Sequence, residues 1–348
     1  MLSKFDKMRD KLVRDKNLFF ALSGFEEKIK FLLRYAILAP STHNTQPWLF
    51  KVTGDNCAIH YNPELKLKYA DPKSRDLYIS LGCAIENLII AAKYYGLESA
   101  ITYSANDNDD NLVATISFKE GENKSDLAPL IETILHRVNT RGTFTKEKID
   151  PSYLEQLESL INRCAENGVG VKIVADPMEI EKIAGLTQQG MRLAHSNKAF
   201  RREMSRWITS NYSRRNEGMI GYSMNMPGFI SLFLSRVIRW FNMGSIMGKI
   251  NYLSVSTSPF VFVFTAPELR AETWIKLGRL AERLMLELQK DGYNTSIYLA
   301  SIEIGDLYRE VQKIIGAQDE PQFIFAAGRM NKEFRTTPRH ELVKKLLA

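Results

Sequence analysis

The chain has 348 residues, of which 45% are hydrophobic and 25% are charged. This composition is typical of a globular protein, and the length allows two domains or two half-domains that share one core. The net charge of +7 includes separate basic stretches at residues 4–16, 201–215 and 332–345. None is a continuous polybasic run with interleaved aromatic residues, so nucleic-acid binding is not indicated.

The cysteines and histidines are too scattered to indicate a disulfide framework or a metal site. Cys57, Cys83 and Cys164 show no paired spacing, which fits a reducing cytosol and predicts a cytoplasmic protein. The histidines show neither an HExxH motif nor i,i+4 pairs, so we expect no metal. The N-terminal segment lacks an uninterrupted apolar core, and we expect no signal peptide. No apolar run reaches about 18 residues, so no membrane span is predicted.

The first predicted elements are a helix, a polar loop and a strand. Apolar residues recur at helical spacing up to Leu38, Pro40 ends the helix, and Trp48 begins an apolar strand. The loop between them carries two prolines and many side-chain donors and acceptors. It fits an ordinary connection whose polar side chains satisfy their own backbone. It also fits a ligand-binding loop, because the carboxamides of Asn44 and Gln46 suit a heteroaromatic edge or a ribityl chain.

An internal repeat relates two parts of the chain at a constant offset of 196 residues, which matches Gly82 to Gly278 and Gly96 to Gly292. Each copy is predicted to be a helix that ends at the second glycine and is followed by strands. Expected strands lie at 100–103 and 112–118, and at 296–300 and 323–327. A glycine inside a helix costs about 1 kcal/mol relative to alanine, so the first glycine of each copy indicates close helix contact.

This repeat is interpreted as duplication and fusion, so that one chain mimics a homodimer. Residues 1–125 form the first predicted half and residues 126–348 the second, with the seam in the polar stretch 119–125. The segment 71–76 reads as the start of the first repeat helix, with Ser74 as candidate N-cap, and no chemistry is assigned to it.

The segment Arg137-Val138-Asn139-Thr140-Arg141 is a candidate phosphate anchor. Two arginines at i,i+4 share one face if the segment is helical, and a guanidinium can fork onto phosphate oxygens. The same residues also fit a solvated basic turn that offsets a helix dipole. Charge spacing alone leaves both interpretations open.

Residues 214–249 form an insertion rich in Met, Phe, Trp and Gly. The part around Pro227 lacks periodicity and has glycines nearby, which is typical of a lid with hinges. Core packing is the simpler interpretation, because Met and aromatic side chains usually fill interiors. A third interpretation is an amphipathic segment at 227–249 that lies on a membrane, although Arg236 and Arg239 interrupt it.

The loop string Pro-Ser-x-x-Asn-x-Gln-Pro-Trp resembles the flavin-contacting loop of the nitroreductase family of FMN flavoproteins. The segment 137–141 resembles the family's Arg-x-Ser-x-Arg/Lys element for the FMN phosphate and ribityl chain. Asn139 departs from the usual Ser or Thr, so either Thr140 supplies the hydroxyl or an amide makes the contact. Arg329, just after the last predicted strand, resembles a further phosphate anchor. The resemblance implies these FMN-binding residues: Pro40, Ser41, Asn44, Gln46, Arg137, Asn139, Thr140, Arg141 and Arg329.

The resemblance also implies a fold and a site count. The expected fold is α+β, with two tandem half-domains, each a central, mainly antiparallel sheet flanked by helices, as in the fused branch of the family. The loop at 40–48 occurs only in the first half and the arginine segment only in the second. We therefore expect one flavin site built across the two halves. The chain is expected to be a pseudo-dimeric monomer, and further association stays open.

The function that the resemblance implies is an FMN-dependent oxidoreductase. It would transfer hydride from NAD(P)H through FMN to a nitroaromatic, a quinone or a similar small acceptor. Flavin N5 carries this chemistry, so no catalytic acid, base or nucleophile is predicted. Asn44, Gln46 and Arg329 are candidate donors that would stabilise reduced flavin. The alternative is a non-catalytic FMN-binding or sequestering protein in which the lid closes the flavin face.

Overall fold

The computed structural model describes residues 17–104, 111–147 and 149–348. The basic stretch at 4–16 and the N-terminal segment discussed above lie outside these residues. Two four-stranded sheets occupy the centre, and every neighbouring pair within them is antiparallel. The expectation of helices combined with antiparallel sheets is confirmed.

The first sheet has the strand order β1-β2-β4-β3 and the second has the order β5-β8-β10-β9. In both, the third strand along the chain lies at the edge beside the fourth. A short parallel pair, β6 and β7, stands apart from them. The strands are β1 (Trp48–Thr53), β2 (Asn56–Tyr61), β3 (Leu97–Tyr103), β4 (Leu112–Glu120), β5 (Gly170–Val174), β6 (Ile208–Thr209), β7 (Met219–Ile220), β8 (Phe260–Ala266), β9 (Asn294–Ile297) and β10 (Glu320–Gly328).

Helices cover the sheets and fill the space between them. They are α1 (Leu18–Ala21), α2 (Phe25–Ala36), α3 (Arg75–Tyr94), α4 (Ala128–His136), α5 (Pro151–Cys164), α6 (Pro177–Ser196), α7 (Lys198–Trp207), α8 (Gly228–Trp240), α9 (Gly244–Ser256), α10 (Ala271–Lys290), α11 (Ala300–Glu303) and α12 (Leu307–Ile315). The α3 helix has the length and apolar composition of a membrane span, but 83% of its 18-residue window is buried inside the protein. A core helix passes the same test, so this feature has little weight.

The expected strand at 296–300 is only partly correct. The strand β9 ends at Ile297, and Ala300 instead begins the short helix α11. A Cβ added to Gly190 of α6 would overlap the carbonyl group of Ala300, so α11 packs directly on this helix. Tertiary packing therefore overrides the apolar run that suggested a longer strand.

The two repeat helices, α3 and α10, cross at their glycines. A Cβ on Gly82 would overlap the carbonyl oxygen of Ile275, and a Cβ on Gly278 would overlap that of Ile79. The close approach also lets the Cys83 thiol donate to the Gly278 carbonyl at 3.3 Å. Glycine is required at both positions because no other side chain leaves room for the partner backbone.

One hydrophobic core runs through both predicted halves. Leu81 and Leu88 of α3 belong to the same buried cluster as Leu277 and Leu284 of α10, and this cluster also contains aromatic side chains from both sheets. The two sheets are therefore joined by a continuous apolar interior rather than by a polar interface between separate domains.

Candidate functional site

A cavity of about 290 Å³ lies between the loop at 40–44, the start of α3, the segment 137–141 and the insertion at 214–249. Its lining includes Asn44 and Arg141, which come from opposite predicted halves of the chain. Its volume is at the small end of the range for ligand pockets, about 300–1,000 Å³. The wall combines methionines with a few polar and charged side chains, as small-molecule sites commonly do.

The loop that forms one wall has an unusual backbone. His43, Asn44 and Gln46 have φ values of 51°, 55° and 54°, in the left-handed region that favours glycine. Hydrogen bonds within the loop hold this conformation, because Ser41 accepts from the Gln46 amide through its hydroxyl and from the Asn44 amide through its carbonyl, both at 2.9 Å. Such outliers cost about 1–3 kcal/mol each and cluster at functional sites. The loop is therefore more than a simple helix-to-strand connection.

Asn44 lines the cavity and fastens the loop to two other segments. Its Nδ2 donates to the carbonyl oxygens of Gly218 and Pro338 at 3.3 and 3.2 Å, and its Oδ1 accepts from Arg339 at 2.9 Å. Pro40 and Ser41 also line the cavity. The structure thus brings these three predicted residues to the wall of one cavity.

Gln46 is placed differently from its predicted role. Its side chain is fully buried and is absent from the cavity lining. Its Nε2 donates to the Asn216 carbonyl at 2.7 Å, and its Oε1 accepts from the His340 amide at 2.8 Å. Gln46 thus joins the loop to the insertion and to the C-terminal segment, and it does not present its carboxamide to a ligand in the cavity.

The segment 137–141 is extended rather than helical, because α4 ends at His136 and Arg137 has φ −57° and ψ 132°. The segment runs beside β9 through an Asn139–Thr295 bridge. In an extended chain alternate side chains point to the same side, so residues 137, 139 and 141 share one side, and all three line the cavity. The helical geometry that we considered is wrong, but the shared orientation of the two arginines is retained.

Thr140 points away from the cavity and does not replace the missing hydroxyl of residue 139. It is fully buried, and its hydroxyl lies 3.2 Å from both the Thr295 carbonyl and the Ser296 hydroxyl. Asn139 is therefore the polar side chain that this segment offers to the cavity between the arginines. The amide alternative fits the structure better than the Thr140 alternative.

The two arginines have different surroundings. Arg137 is buried, with its Nε 3.1 Å from Glu282 and an Nη donating to the Leu38 carbonyl at 3.3 Å. Arg141 is half-buried over the Tyr298 ring, with its guanidinium carbon 5.3 Å from the ring centroid. Within the described residues it forms no ion pair with a carboxylate, so its charge is available to a ligand.

Arg329 lies outside the cavity, contrary to its predicted place in the site. Its side chain is exposed, stacks over Tyr293 at 4.7 Å, and contacts Glu147 at 3.4 Å and the Asp291 carbonyl at 3.2 Å. The contact with the Asp291 carbonyl places the side chain at the C-terminal end of α10. A phosphate in the cavity would not contact this residue.

Arg339 is a cavity residue that we did not predict. It is 4% exposed and donates to Asn44 Oδ1, to the Leu38 carbonyl at 3.1 Å and to the Ala39 carbonyl at 2.9 Å. The preceding Thr337 also lines the cavity. Arg339 is one of several basic residues near the C-terminus, and no local pattern distinguishes it. Only the return of the C-terminal segment over the loop brings it to the site.

A carboxyl cluster of Asp71, Asp76 and Glu303 was also missed. One oxygen from each lies within 4.8 Å of the others, and Asp76 and Glu303 line the cavity. Arg75 lies 3.6 Å from both Asp76 and Glu303. Asp71, rather than Ser74, caps the helix through the Leu77 amide at 2.9 Å, because Ser74 is in the left-handed region with φ 57°.

Two of these carboxyl groups, Asp71 and Glu303, hold protons more readily than usual. Burial and the neighbouring Asp76 raise the pKa of Asp71 to about 7. Burial, together with the Asp76 carboxylate, raises the pKa of Glu303 well above its usual value. The Asp76 side chain is buried, and among the described residues its only hydrogen-bond donor is the Glu303 carboxyl group in its protonated form. Asp76 and Glu303 thus form an acid pair in the cavity wall.

The insertion covers the cavity with flexible apolar side chains. Met219, Met224, Met226 and Met247 line it. Asn225 donates from its side chain to the Arg141 carbonyl, and Gly218 donates from its amide to the Asn44 carbonyl at 3.2 Å. The insertion is therefore attached to both walls of the cavity, as a lid would be.

No family model matches the chain. It is 24% identical over 208 residues to the NAD(P)H nitroreductase Rv3131 of Mycobacterium tuberculosis, an activity that the protein's own name marks as provisional. The match covers 58% of this chain, and the chain spans 58% of the length of that relative.

Two solved structures align with about the same share of the chain. Iodotyrosine deiodinase bound to FMN and 3-iodo-L-tyrosine is 17% identical with a TM-score of 0.38, covering 61% of this chain and 95% of the deiodinase. The FMN-dependent nitroreductase NfnB from Mycobacterium smegmatis in complex with NADPH is 16% identical with a TM-score of 0.41, covering 63% of this chain and 97% of NfnB. The sequence matches support a relationship between this chain and the nitroreductases.

Proposed function

We propose that this protein is an FMN-dependent oxidoreductase of the nitroreductase type. The observation that carries the proposal is the meeting of the loop at 40–44 with the segment 137–141 in the wall of one cavity. The sequence relatives are named as NAD(P)H nitroreductases, which agrees with the proposal. Of the two aligned structures, the deiodinase is bound to FMN and NfnB is an FMN-dependent nitroreductase. Bound FMN would accept hydride from NAD(P)H and pass it to a nitroaromatic, a quinone or a similar acceptor.

The charges around the cavity fit a phosphate-bearing cofactor. Arg137, Arg141 and Arg339 line the cavity together, and Glu282 lies 3.1 Å from Arg137. Arg141 would contact the phosphate directly, while Arg137 and Arg339 would add positive potential from their buried positions. Ser41, Asn44 and Asn139 would supply polar contacts to the rest of the cofactor.

The lid and the acid pair would assist the reaction in different ways. The methionines of the insertion would exclude water from the cavity. Glu303, beside Asp76, would hold a proton at its carboxyl oxygen and supply it when the acceptor is reduced. Glu303→Gln should leave the flavin bound and slow acceptor reduction by about 10²-fold at pH 8.

We also propose that the chain is a tandem pseudo-dimer, with halves near 1–125 and 126–348. The shared strand order of the two sheets and the reciprocal contacts of Gly82 and Gly278 support duplication. The lid-like insertion belongs to the second half. The cytoplasmic location and the state of association stay predictions.

The cofactor assignment is tested by comparing two arginine variants. Because Arg137 and Glu282 are both buried and lie 3.1 Å apart, removal of Arg137 would perturb folding, and Arg141 is the better choice. Arg141→Ala should weaken FMN binding by about 10–100-fold, since charge-assisted hydrogen bonds contribute about 1.5–3 kcal/mol. Arg329→Ala, outside the cavity, is the matched control and should bind FMN as the natural chain does. Equal loss in both variants would contradict the site.

The reaction is tested separately by mixing the FMN-loaded protein anaerobically with NADPH and with NADH. Rapid bleaching of the flavin absorbance by either nucleotide, followed by reoxidation on addition of a quinone, is the expected result. Flavin that stays oxidised with both nucleotides would show a binding protein without turnover, the alternative raised from the sequence.

A further inference from the structure

The exposed side of α8 and α9 is unusually apolar. Phe229 and Trp240 of α8 are 69% and 68% exposed, and Phe241, in the turn after α8, is 65% exposed. Further exposed side chains on the two helices and their turn are Ile230, Leu232, Phe233, Ile246, Ile250 and Leu253. Surfaces of this kind, with large apolar side chains grouped together, mark sites of contact with a protein or a membrane. We call this side of the two helices the outer face.

The helices that carry the outer face are well packed on their opposite sides. The opposite side of α8 buries Leu234 and Ile238 in a hydrophobic cluster with residues of α7. The opposite side of α9 lies so close to α6 that a Cβ on Gly248 would be 2.8 Å from the Gln188 carbonyl oxygen. Both helices are therefore held by one side, and the outer face is a separate surface.

The charged side chains that α8 and α9 themselves contribute have one sign. Residues 218–267 contain no Asp or Glu, whereas Arg236, Arg239 and Lys249 are exposed on the two helices. In the part of the chain that the structure describes, these three cations form no ion pair with a carboxylate; Arg239 lies over Trp240 and Lys249 over Tyr252. Long basic side chains can extend past apolar neighbours and present their charge at the edge of an apolar surface.

We propose that the outer face binds the surface of an anionic lipid bilayer. Exposed Trp and Phe beside unpaired Arg and Lys are the features of interfacial amphipathic helices, whose apolar side enters the headgroup region while the cations contact anionic lipids. A second copy of the chain is a less suitable partner for the outer face. A twofold contact would bring the cations of one copy close to the same cations of the other copy, and residues 218–267 offer no carboxylate to pair with them.

The outer face is continuous with the cavity. Ile250 is 38% exposed on this face and also lines the cavity, and the neighbouring Met247 and Asn251 of α9 line it too. A bilayer on the outer face would therefore lie next to the lid side of the cavity. This placement is independent of the proposed reaction and is tested without it.

The test is co-sedimentation of the full chain with sucrose-loaded vesicles. We expect binding to phosphatidylcholine vesicles that contain about 30% phosphatidylglycerol, much weaker binding to pure phosphatidylcholine, and a decrease as salt is raised. Trp240→Ser combined with Phe241→Ser should reduce binding by about tenfold or more. Arg236→Gln combined with Arg239→Gln should remove most of the preference for anionic vesicles.

Met178→Ser is the matched control, because Met178 is 70% exposed on α6 and lies outside the outer face. It should bind vesicles as the natural chain does, and thermal unfolding by circular dichroism checks that all variants are folded. Lack of binding to anionic vesicles at low salt, or equal binding by all variants, would overturn the proposal. So would a dimer in sedimentation velocity that is lost in the Trp240→Ser, Phe241→Ser variant.

Discussion

Glu86 and Glu282 occupy matched positions in α3 and α10, but their surroundings differ. Glu86 lies 2.9 Å from Arg283 and 3.3 Å from Arg279. Burial opposes its ionisation, but the two arginines lower its pKa below the usual value. Glu282 has one close cation, Arg137 at 3.1 Å. Burial raises the pKa of Glu282 to about 7, although Arg137 and Arg339 act in the opposite direction.

The different ion pairs of Glu86 and Glu282 are the reason why we expect the cofactor site on the Glu282 side of α3 and α10. Beside Glu86, Arg279 also pairs with Glu166 and donates to the Tyr103 hydroxyl, and Arg283 lies 4.0 Å from Glu287. Beside Glu282, Arg137 is the arginine within ion-pair distance, while Arg141 lines the cavity and, among the described residues, pairs with no carboxylate. In the first region the arginines are held by carboxylate partners, whereas Arg141 in the second region has no such partner among the described residues.

The largest effect on stability is expected from substitution of Gly82 and Gly278, where α3 and α10 cross. Gly82→Ala and Gly278→Ala should each lower the free energy of unfolding by about 3 kcal/mol, because the added methyl overlaps a backbone carbonyl of the other helix. Urea unfolding measures this change. Gly185→Ala in α6, where a Cβ meets nothing within 4 Å, is the control and should raise stability by about 0.5–1 kcal/mol.

A smaller effect is expected in the pH dependence of stability, which should differ between Glu282 and Glu86. Glu282 has a folded pKa of about 7 against 4.5, so stability falls as pH rises through this interval. Glu282→Gln removes this pH-dependent loss. The free energy of unfolding of the variant, relative to that of the natural chain, should therefore rise by about 2 kcal/mol from pH 5 to pH 8. For Glu86, whose folded pKa is lowered, the stabilisation is present above pH 4.5 and is lost only as pH falls through the folded pKa.

Glu86→Gln should therefore cost about 3 kcal/mol at both pH 5 and pH 8, since it leaves Arg279 and Arg283 without their shared partner. Urea unfolding of both variants at the two pH values gives the comparison. The same pH response in both variants would show that the matched carboxylates are electrostatically equivalent.

The smallest effect concerns His43 in the loop. Burial, with a contribution from Arg141, lowers the pKa of His43 to about 4 from 6.5, so stability is lost as pH falls through this interval. His43→Asn should reduce this acid sensitivity by about 1–2 kcal/mol, since Asn tolerates the left-handed backbone at this position. Urea unfolding at pH 7 and pH 4.5 measures it. An unchanged pH response would mean that other groups cause the acid sensitivity.

The sequence predicted the elements whose signals are local. Pro40 and Trp48 defined the loop between α2 and β1, and helical spacing identified α3 and α10. The constant offset between glycines also predicted the close approach of Gly82 and Gly278. These features depend on periodicity, on breaker residues and on the space that glycine leaves, all of which are visible without a structure.

The side-chain partners in the site were harder to predict, because they depend on contacts between distant segments. The order-specific loop placed Asn44 in the cavity, but Gln46 of the same string is used by the insertion and the C-terminal segment. Arg329 follows a strand in the expected way and still turns outward, whereas Arg339 reaches the cavity from an irregular segment. Asp76 and Glu303 form a pair only because α11 packs beside the start of α3.

The most direct test of the account is the number of FMN molecules that one chain binds. Calorimetric titration of the flavin-free protein with FMN should give one equivalent per chain, with the binding lost or strongly weakened in Arg141→Ala. Two equivalents would mean that the region around Glu86 also holds a cofactor. One equivalent with unchanged affinity in Arg141→Ala would place the cofactor outside the cavity described above.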